Sequence, residues 1–234
     1  QISKLLRALV TSTMNSGTLN KIESFIKKFE GDNSKTAKDI LNAFVFAKAY
    51  YFGHMKDYRR AISEMVKIEP LDINQKYYLA NLYDKDNKYK KAIALMMDVI
   101  EDFPNNAQAL NFVGYLMLEN EDDFSQAYTL IKKAIELEPN DAYIRDSLGW
   151  YFFKIGKFKK ALVELKKAWS SEKSDVVISK HLAIVYQKLN NDREAQKYFS
   201  EALRNCKEEN QKREILDVME NRILRRLPAS LLED

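Results

Sequence analysis

The segment from Asp146 to Ala168 reads DSLGWYFFKIGKFKKALVELKKA, and this stretch decides the fold. Near its start a large apolar residue is followed by a very small one, Leu148-Gly149. Phe152 stands four positions after the leucine, which places both side chains on the same face of a helix. Gly156 then interrupts the pattern before a second amphipathic run. The segment therefore predicts two helices joined by a tight turn.

The same pattern recurs along the chain at spacings of 34, 35 and 34 residues. A fixed period of this length indicates a repeat architecture rather than one compact core. The large-small pairs are Leu79-Ala80, Val113-Gly114, Leu148-Gly149 and Leu182-Ala183. Each predicted second helix has an alanine, a bulky apolar residue four positions later, and an alanine or valine three positions after that. These sets are Ala92, Met96 and Val99; Ala127, Ile131 and Ala134; Ala161, Leu165 and Ala168; Ala195, Phe199 and Ala202. Small residues at such spacing allow two helices to approach closely, so the pattern predicts stacked helical hairpins.

Helix boundaries follow the same phase independently of the apolar residues. Asp and Asn are preferred N-caps because their side-chain oxygens accept hydrogen bonds from unpaired backbone N–H groups. Such residues stand before each predicted first helix: Asp72, Asn106, Asp141 and Asp175. Two residues before the first three of these caps, where the preceding helix has to end, the sequence has Pro70, Pro104 and Pro139. The corresponding position before Asp175 is Lys173.

Together these features resemble the tetratricopeptide repeat, most clearly over Asp141–Lys173, and the DSLGW wording is similar to bacterial members of that family. The resemblance implies an all-α fold. It implies an α-α superhelix, a right-handed solenoid of about six helical hairpins with a C-terminal capping helix. The four clear repeats run over 73–106, 107–141, 142–175 and 176–209.

The pattern is weaker outside these repeats. Residues 35–72 are predicted to form a divergent hairpin whose second helix is nearly one turn short. Residues 1–34 are predicted to form a degenerate hairpin from the segments ISKLLRALV and TLNKIESFIKKFE. Residues 210–234 are predicted to form a capping helix, ended by Pro228, and a tail. A polar outer face suits the end of a solenoid.

Composition agrees with a helical protein, since 6 Gly and 4 Pro offer little turn chemistry beside 38 Lys plus Arg and 34 Asp plus Glu. The net charge of +4 comes from the first 70 residues, which hold 12 basic and 7 acidic residues. No run of like charge is long enough to indicate a nucleic-acid arm. The basic residues are therefore interpreted as a solvated helix face.

The compartment is left open by the sequence. Cys206 is the only cysteine, so cysteine usage does not indicate a redox environment. No apolar stretch approaches the roughly 20 residues of a membrane span, and no signal-peptide pattern stands at the start. Two alternatives are expected. The chain is cytoplasmic, or it is periplasmic or membrane-tethered and an N-terminal signal was removed.

Residues that could carry chemistry are sparse, and the sequence predicts no catalytic site, cofactor or metal. Hydrolytic and metal chemistry need converging His, Cys or carboxylate groups. His54 and His181 lie several repeats apart and are interpreted as surface or interhelical residues. Gly149 and Gly156 lack the spacing of a phosphate loop, and are interpreted as a close helix contact and a turn. The acidic run at 121–123 is interpreted as a solvated loop.

The family resemblance also implies where a partner binds. In tetratricopeptide proteins the first helices of successive hairpins line a concave groove, and fixed positions of those helices contact the partner. These positions are unusually aromatic here, which is typical of binding anchors. The candidate partner-binding residues are Tyr77, Asn81, Asn111, Tyr115, Tyr143, Asp146, Trp150, Phe153, Lys154, Lys180 and Ile184. Trp150 and Phe153 could equally pack between neighbouring helices. Binding of chaperone C-terminal tails is disfavoured, since Tyr77 and Tyr143 replace the clamp lysines.

The preferred interpretation is a non-catalytic scaffold or adaptor that binds a peptide or helical segment of another protein. An RNA-binding helical repeat is one alternative, disfavoured because an aromatic groove of mixed charge lacks the basic character that phosphates require. An accessory or regulatory segment of a larger enzyme or envelope complex is another. The last alternative is self-association, in which an exposed terminal hairpin stacks on another copy of the chain.

Overall fold

The structure is a computed structural model that describes residues 16–29, 31–32 and 34–226. The first segment of the predicted N-terminal hairpin and the tail after Arg226, including Pro228, lie outside the described residues. Within the described part every regular element is an α-helix, which confirms the all-α prediction. The helices are α1 Ser16–Phe29, α2 Lys35–His54, α3 Tyr58–Met65, α4 Ile73–Lys85, α5 Tyr89–Asp102, α6 Ala107–Glu119, α7 Phe124–Leu137, α8 Ala142–Lys154, α9 Phe158–Ser171, α10 Val176–Lys188, α11 Asp192–Asn205 and α12 Glu209–Arg226.

All four predicted N-caps of the clear repeats are confirmed. Asp72 forms a full capping box with Gln75, whose side chain accepts from the Asp72 backbone N–H. The side-chain oxygen of Asp141 accepts from the Ile144 N–H at 2.8 Å, and Asn106 and Asp175 cap their helices in the same way. Each cap satisfies one donor that the helix leaves unpaired, and is worth about 1 kcal/mol.

Each turn between the two helices of a hairpin contains one residue with a left-handed backbone. Four of these residues carry side chains: Lys56, Asn87, Glu121 and Asn190, with φ between 53° and 59°. Gly156 occupies the remaining turn, between α8 and α9, at φ 75°, which confirms its predicted role as a turn residue. Glycine adopts this conformation freely, whereas a residue with a Cβ atom does so at a cost.

The chain divides into two compact units, residues 1–104 and 105–234. In unit 1, helices α1 to α5 pack in chain order around a core that includes Phe46, Phe52 and Met65. Helix α3 has 8 residues against 14 in α5, so the second helix of the predicted divergent hairpin is the shorter one.

A partly buried ion network links the first three helices of unit 1. The Lys48 Nζ of α2 lies 2.9 Å from the Glu23 carboxylate of α1 and 3.2 Å from the Glu64 carboxylate of α3. Burial acts to lower the pKa of Lys48, but the hydrogen bonds and charges of Glu23 and Glu64 outweigh it, so the pKa lies above its usual value. The ammonium therefore stays charged where it holds α1 and α3.

In unit 2, three hairpins stack in chain order: α6 with α7, α8 with α9, and α10 with α11. The first helices α6, α8 and α10 contact one another, and each second helix contacts the next first helix. Gly114 and Gly149 mark the closest helix approaches, since an added Cβ atom would lie 2.7 Å from the side chains of Ile131 and Leu165 respectively. The close-contact interpretation of Gly149 is confirmed.

Helix α12 packs against the last hairpin of unit 2. Ile215 is fully buried in the core formed by α9, α10 and α11, and Met219 packs beside it. Leu216, the next residue, is 41% exposed because it lies about 100° around the helix from Ile215.

Candidate interaction surface

The predicted partner-binding residues fall in both units. Tyr77 and Asn81 lie on α4 of unit 1, where Tyr77 is half-buried and Asn81 is exposed. The Asn81 amide nitrogen donates to the Tyr77 carbonyl oxygen at 2.8 Å. The other nine residues lie on α6, α8 and α10 of unit 2, the three first helices that contact one another.

Trp150 of α8 forms the centre of an aromatic stack. Its ring lies 4.5 Å from that of Phe153 and 3.9 Å from that of His181, with both pairs within 11° of parallel. Its indole Nε1 donates to the Glu119 carboxylate of α6 at 2.5 Å. Trp150 is only 7% exposed, so it lies beneath the surface and connects all three first helices.

The stack is fixed at one end by a buried polar pair. Nδ1 of His181 on α10 lies 2.9 Å from the Asp146 carboxylate on α8, and both residues are buried. This confirms an interhelical role for His181. The same contact places Asp146 between α8 and α10 rather than on the solvent-exposed surface of these helices. The carboxylate fixes the plane of the imidazole, and the imidazole in turn supports the Trp150 ring.

Of the predicted partner-binding residues on these helices, Tyr115, Phe153 and Ile184 are apolar side chains that are partly buried and partly accessible. We call this set the first-helix face. Phe153 and Ile184 both pack against the core of unit 2, and the Tyr115 ring lies 6.4 Å from that of His181. Each residue therefore presents one side to solvent and is supported on the other by packed neighbours.

The two predicted lysines are paired within the chain. Lys154 Nζ lies 3.6 Å from the Glu121 carboxylate and 5.9 Å from the centre of the Trp150 ring. Lys180 lies 2.7 Å from the Glu214 carboxylate of α12. Both ammonium groups are thus at least partly neutralised, and the first-helix face has little free positive charge beside it.

Asn111 and Tyr143 complete the predicted set. Asn111 is half-buried, and its side-chain Oδ1 is buried without a hydrogen-bond donor among the described residues. Tyr143 is exposed at the start of α8. Partial burial, followed by the charges of Asp175, Glu172 and Asp141, raises the pKa of Tyr143, so its hydroxyl is neutral at physiological pH.

Within the described residues, no group of three or more His, Cys, Asp or Glu side chains is placed to hold a metal ion. The His181–Asp146 pair is buried, and the His181 ring is stacked on Trp150. None of the described helices combines the length and apolar character needed to cross a membrane.

Comparison with known proteins agrees with this architecture. The family model of the tetratricopeptide repeat matches residues 76–106. A TPR repeat-containing protein of Pseudomonas aeruginosa, PA4667, is 36% identical over 109 residues, which are 47% of this chain and 18% of that protein. The chain thus matches less than a fifth of this relative's length.

Two solved structures share the fold. A thermophilic TPR protein of Thermus thermophilus, TTC0263, superposes with a TM-score of 0.65 at 18% identity, covering 76% of this chain and 98% of that one. MamA (41-end) of Desulfovibrio magneticus RS-1 superposes with a TM-score of 0.54 at 15% identity, covering 70% and 94%. At these identities the similarity concerns the helical-repeat fold alone.

Proposed function

Since this chain is a tetratricopeptide repeat protein, we propose that it binds a segment of a partner polypeptide on the first-helix face of unit 2. Tetratricopeptide arrays are in general non-catalytic scaffolds for protein–protein interaction. The fold does not specify the partner, so the proposal rests on the surface itself.

The observation that carries the proposal is the rigid support under Phe153. Its ring is stacked on Trp150, which is stacked on His181 and hydrogen-bonded to Glu119. An accessible aromatic ring that is already fixed loses little conformational freedom when a partner binds. Aromatic residues in such positions are typical interaction hot spots. Tyr115 and Ile184 extend the same accessible apolar surface.

The neutralised lysines favour an apolar partner segment over a highly charged one. Lys154 and Lys180 are already engaged by Glu121 and Glu214. A strongly acidic segment would have to compete with those carboxylates at the first-helix face. We therefore expect an extended or helical segment whose apolar side chains contact Tyr115, Phe153 and Ile184, with Asn111 and Tyr143 at its edges.

Site-specific photo-crosslinking tests the proposal. A benzophenone-bearing amino acid is introduced at Phe153, at Tyr115 or, as the matched control, at Gln126, which is exposed on α7. Each purified variant is checked for native helicity, illuminated in extract of the source organism, and the products are identified by mass spectrometry. We expect one polypeptide to be crosslinked from both 115 and 153 but not from 126.

The crosslinked peptide of the partner adds a second criterion. It should be an apolar segment, and a synthetic copy should bind the wild-type chain and lose about 2 kcal/mol of binding free energy with Phe153→Ala. Crosslinking that is equal at all three positions, or a synthetic peptide that binds wild type and Phe153→Ala equally, would disprove this placement of the binding site.

A further inference from the structure

The outward side of α9 in unit 2 is strongly basic, and this surface is separate from the first-helix face. Ala161, Leu165 and Ala168 are fully buried and fix the side of α9 that faces the core. The residues exposed along α9 are Lys159, Lys160, Val163, Lys166, Lys167, Ser170 and Ser171, and the exposed Glu172 and Lys173 follow the helix. We call the five lysines of this set and Val163 the lysine face.

The positive charge of the lysine face is largely uncompensated. Glu164 is the acidic residue within α9, and its carboxylate is engaged by Arg145 at 2.6 Å and by Lys167 at 3.0 Å. Among the described residues, the structure places no carboxylate within 4.0 Å of the Lys159 or Lys166 ammonium. The lysines of α9 therefore attract anions over the ~12 Å of helix between Lys159 and Lys167.

An apolar residue lies within this charged surface. Val163 is 52% exposed and stands four positions after Lys159 and three before Lys166, so it shares their side of the helix. Lys173 and Lys197 both approach the Trp169 ring, at 5.7 and 5.9 Å, and the Trp169 Nε1 has no acceptor among the described residues. The lysine face thus combines cations with apolar and aromatic contacts.

The second helices on either side carry their own carboxylates. On α7, Glu136 lies 3.7 Å from Lys132. On α11, Glu194 and Glu201 pair with Lys197 and Arg204. The excess of basic over acidic residues is therefore largest on α9, with four lysines and one glutamate. A flat anionic membrane or a nucleic-acid duplex would also meet these flanking carboxylates, whereas a single extended or helical peptide would not.

We propose that the lysine face binds an acidic polypeptide segment, in which Asp and Glu residues bracket an apolar side chain that covers Val163. The carboxylates pair with Lys159, Lys160 and Lys166, and the apolar side chain excludes water from Val163. The proposal does not depend on the first-helix face, since the two surfaces involve different helices and partners of different chemistry.

Fluorescence anisotropy tests it with a labelled synthetic peptide of alternating Glu and Asp around a central Leu, at low ionic strength. The wild-type chain should bind this peptide, and Lys159→Glu/Lys166→Glu should weaken binding by about tenfold or more. The matched control Lys90→Glu/Lys91→Glu reverses the same number of charges on α5 and should leave the affinity unchanged. Phe153→Ala should also leave it unchanged, which separates this proposal from the proposed function.

A second pair of measurements tests the apolar contact. Val163→Ser should weaken binding of the Leu-containing peptide, because the contact between Val163 and Leu is lost. It should not weaken binding of a peptide in which Ser replaces the Leu, since that peptide makes no such contact. Anionic phosphatidylglycerol vesicles and a single-stranded polynucleotide are measured in parallel. The proposal would be overturned if the wild-type chain did not bind the peptide, or if both charge-reversal variants lost the same amount of peptide affinity. It would also be overturned if the vesicles or the polynucleotide bound more tightly than the peptide.

Discussion

At the scale of single residues, the His181–Asp146 pair is expected to be the most sensitive point of unit 2. His181→Ala removes a buried ring from beneath Trp150 and leaves a buried carboxylate without its partner. We expect the free energy of unfolding to fall by about 3 kcal/mol. Urea denaturation followed by tryptophan fluorescence measures it. The control His54→Ala, at an exposed position of α2, should change stability by less than about 0.5 kcal/mol. Equal effects of the two variants would contradict this interpretation.

Tyr198 predicts how stability depends on pH in the alkaline range. Burial, followed by the nearby Tyr186 and Glu194, raises its pKa from 10.0 to about 12 in the folded protein. Between these values the unfolded chain has lost a proton that the folded chain retains. This contribution to stability is therefore fully present below about pH 10 and is lost as the pH rises toward 12.

The variant Tyr198→Phe lacks this titration but keeps the ring that packs on Tyr186 and Trp169. We expect the wild type to lose stability relative to Tyr198→Phe between pH 10 and 12. Denaturant unfolding of both proteins at several pH values measures the difference. Parallel stability curves across that range would show that the Tyr198 pKa is not raised.

At the scale of helices, the packing of α8 on α9 depends on Gly149. Alanine is about 1 kcal/mol more favourable than glycine within a helix, so local propensity alone predicts that Gly149→Ala stabilises the protein. The added Cβ atom would lie 2.7 Å from Leu165 Cγ and 3.2 Å from the Leu165 backbone nitrogen. Because the backbone cannot yield as a flexible side chain would, we expect a net loss of about 1–3 kcal/mol.

Thermal and urea unfolding of Gly149→Ala measure this balance. Gln126→Ala, an exposed substitution on α7, serves as a control that probes helix propensity without a close contact. A variant of Gly149 that is more stable than wild type would mean that the two helices can separate at little cost.

At the scale of the whole molecule, unit 2 is expected to fold without unit 1. Its core draws Leu165, Leu182, Phe199 and Ile215 from α9 to α12, all within residues 105–234. Repeat proteins derive stability from each repeat and its immediate neighbours, so removal of distant repeats leaves the rest intact. A fragment of residues 105–234 should unfold cooperatively in urea with native helicity by circular dichroism.

A fragment of residues 124–234, which lacks α6, is the matched control. It loses the helix that carries Glu119 and should show lower stability and altered Trp150 fluorescence. If the longer fragment is unfolded while the full chain is folded, the two units depend on each other.

Much of the fold could be predicted from the sequence because its determinants are local and periodic. The N-caps at Asp72, Asn106, Asp141 and Asp175 act within one helical turn, and the large-small pairs recur at a fixed phase. The same register placed Tyr115 and Phe153 on first helices that contact one another. These inferences require only helix geometry and the repeat period.

Contacts between side chains about one repeat apart could not be predicted in the same way. The burial of Trp150 and Asp146 depends on His181 and Glu119, which reach them from neighbouring hairpins. Lys180 is paired with Glu214, a residue of α12 outside the repeat register. Leu216 is exposed while Ile215 is buried, although both are apolar residues of the same helix. A helix pattern determines which side chains share a face, but only the stacking of the helices determines what each side chain meets, since rotamer and helix offset change contacts over a few ångströms.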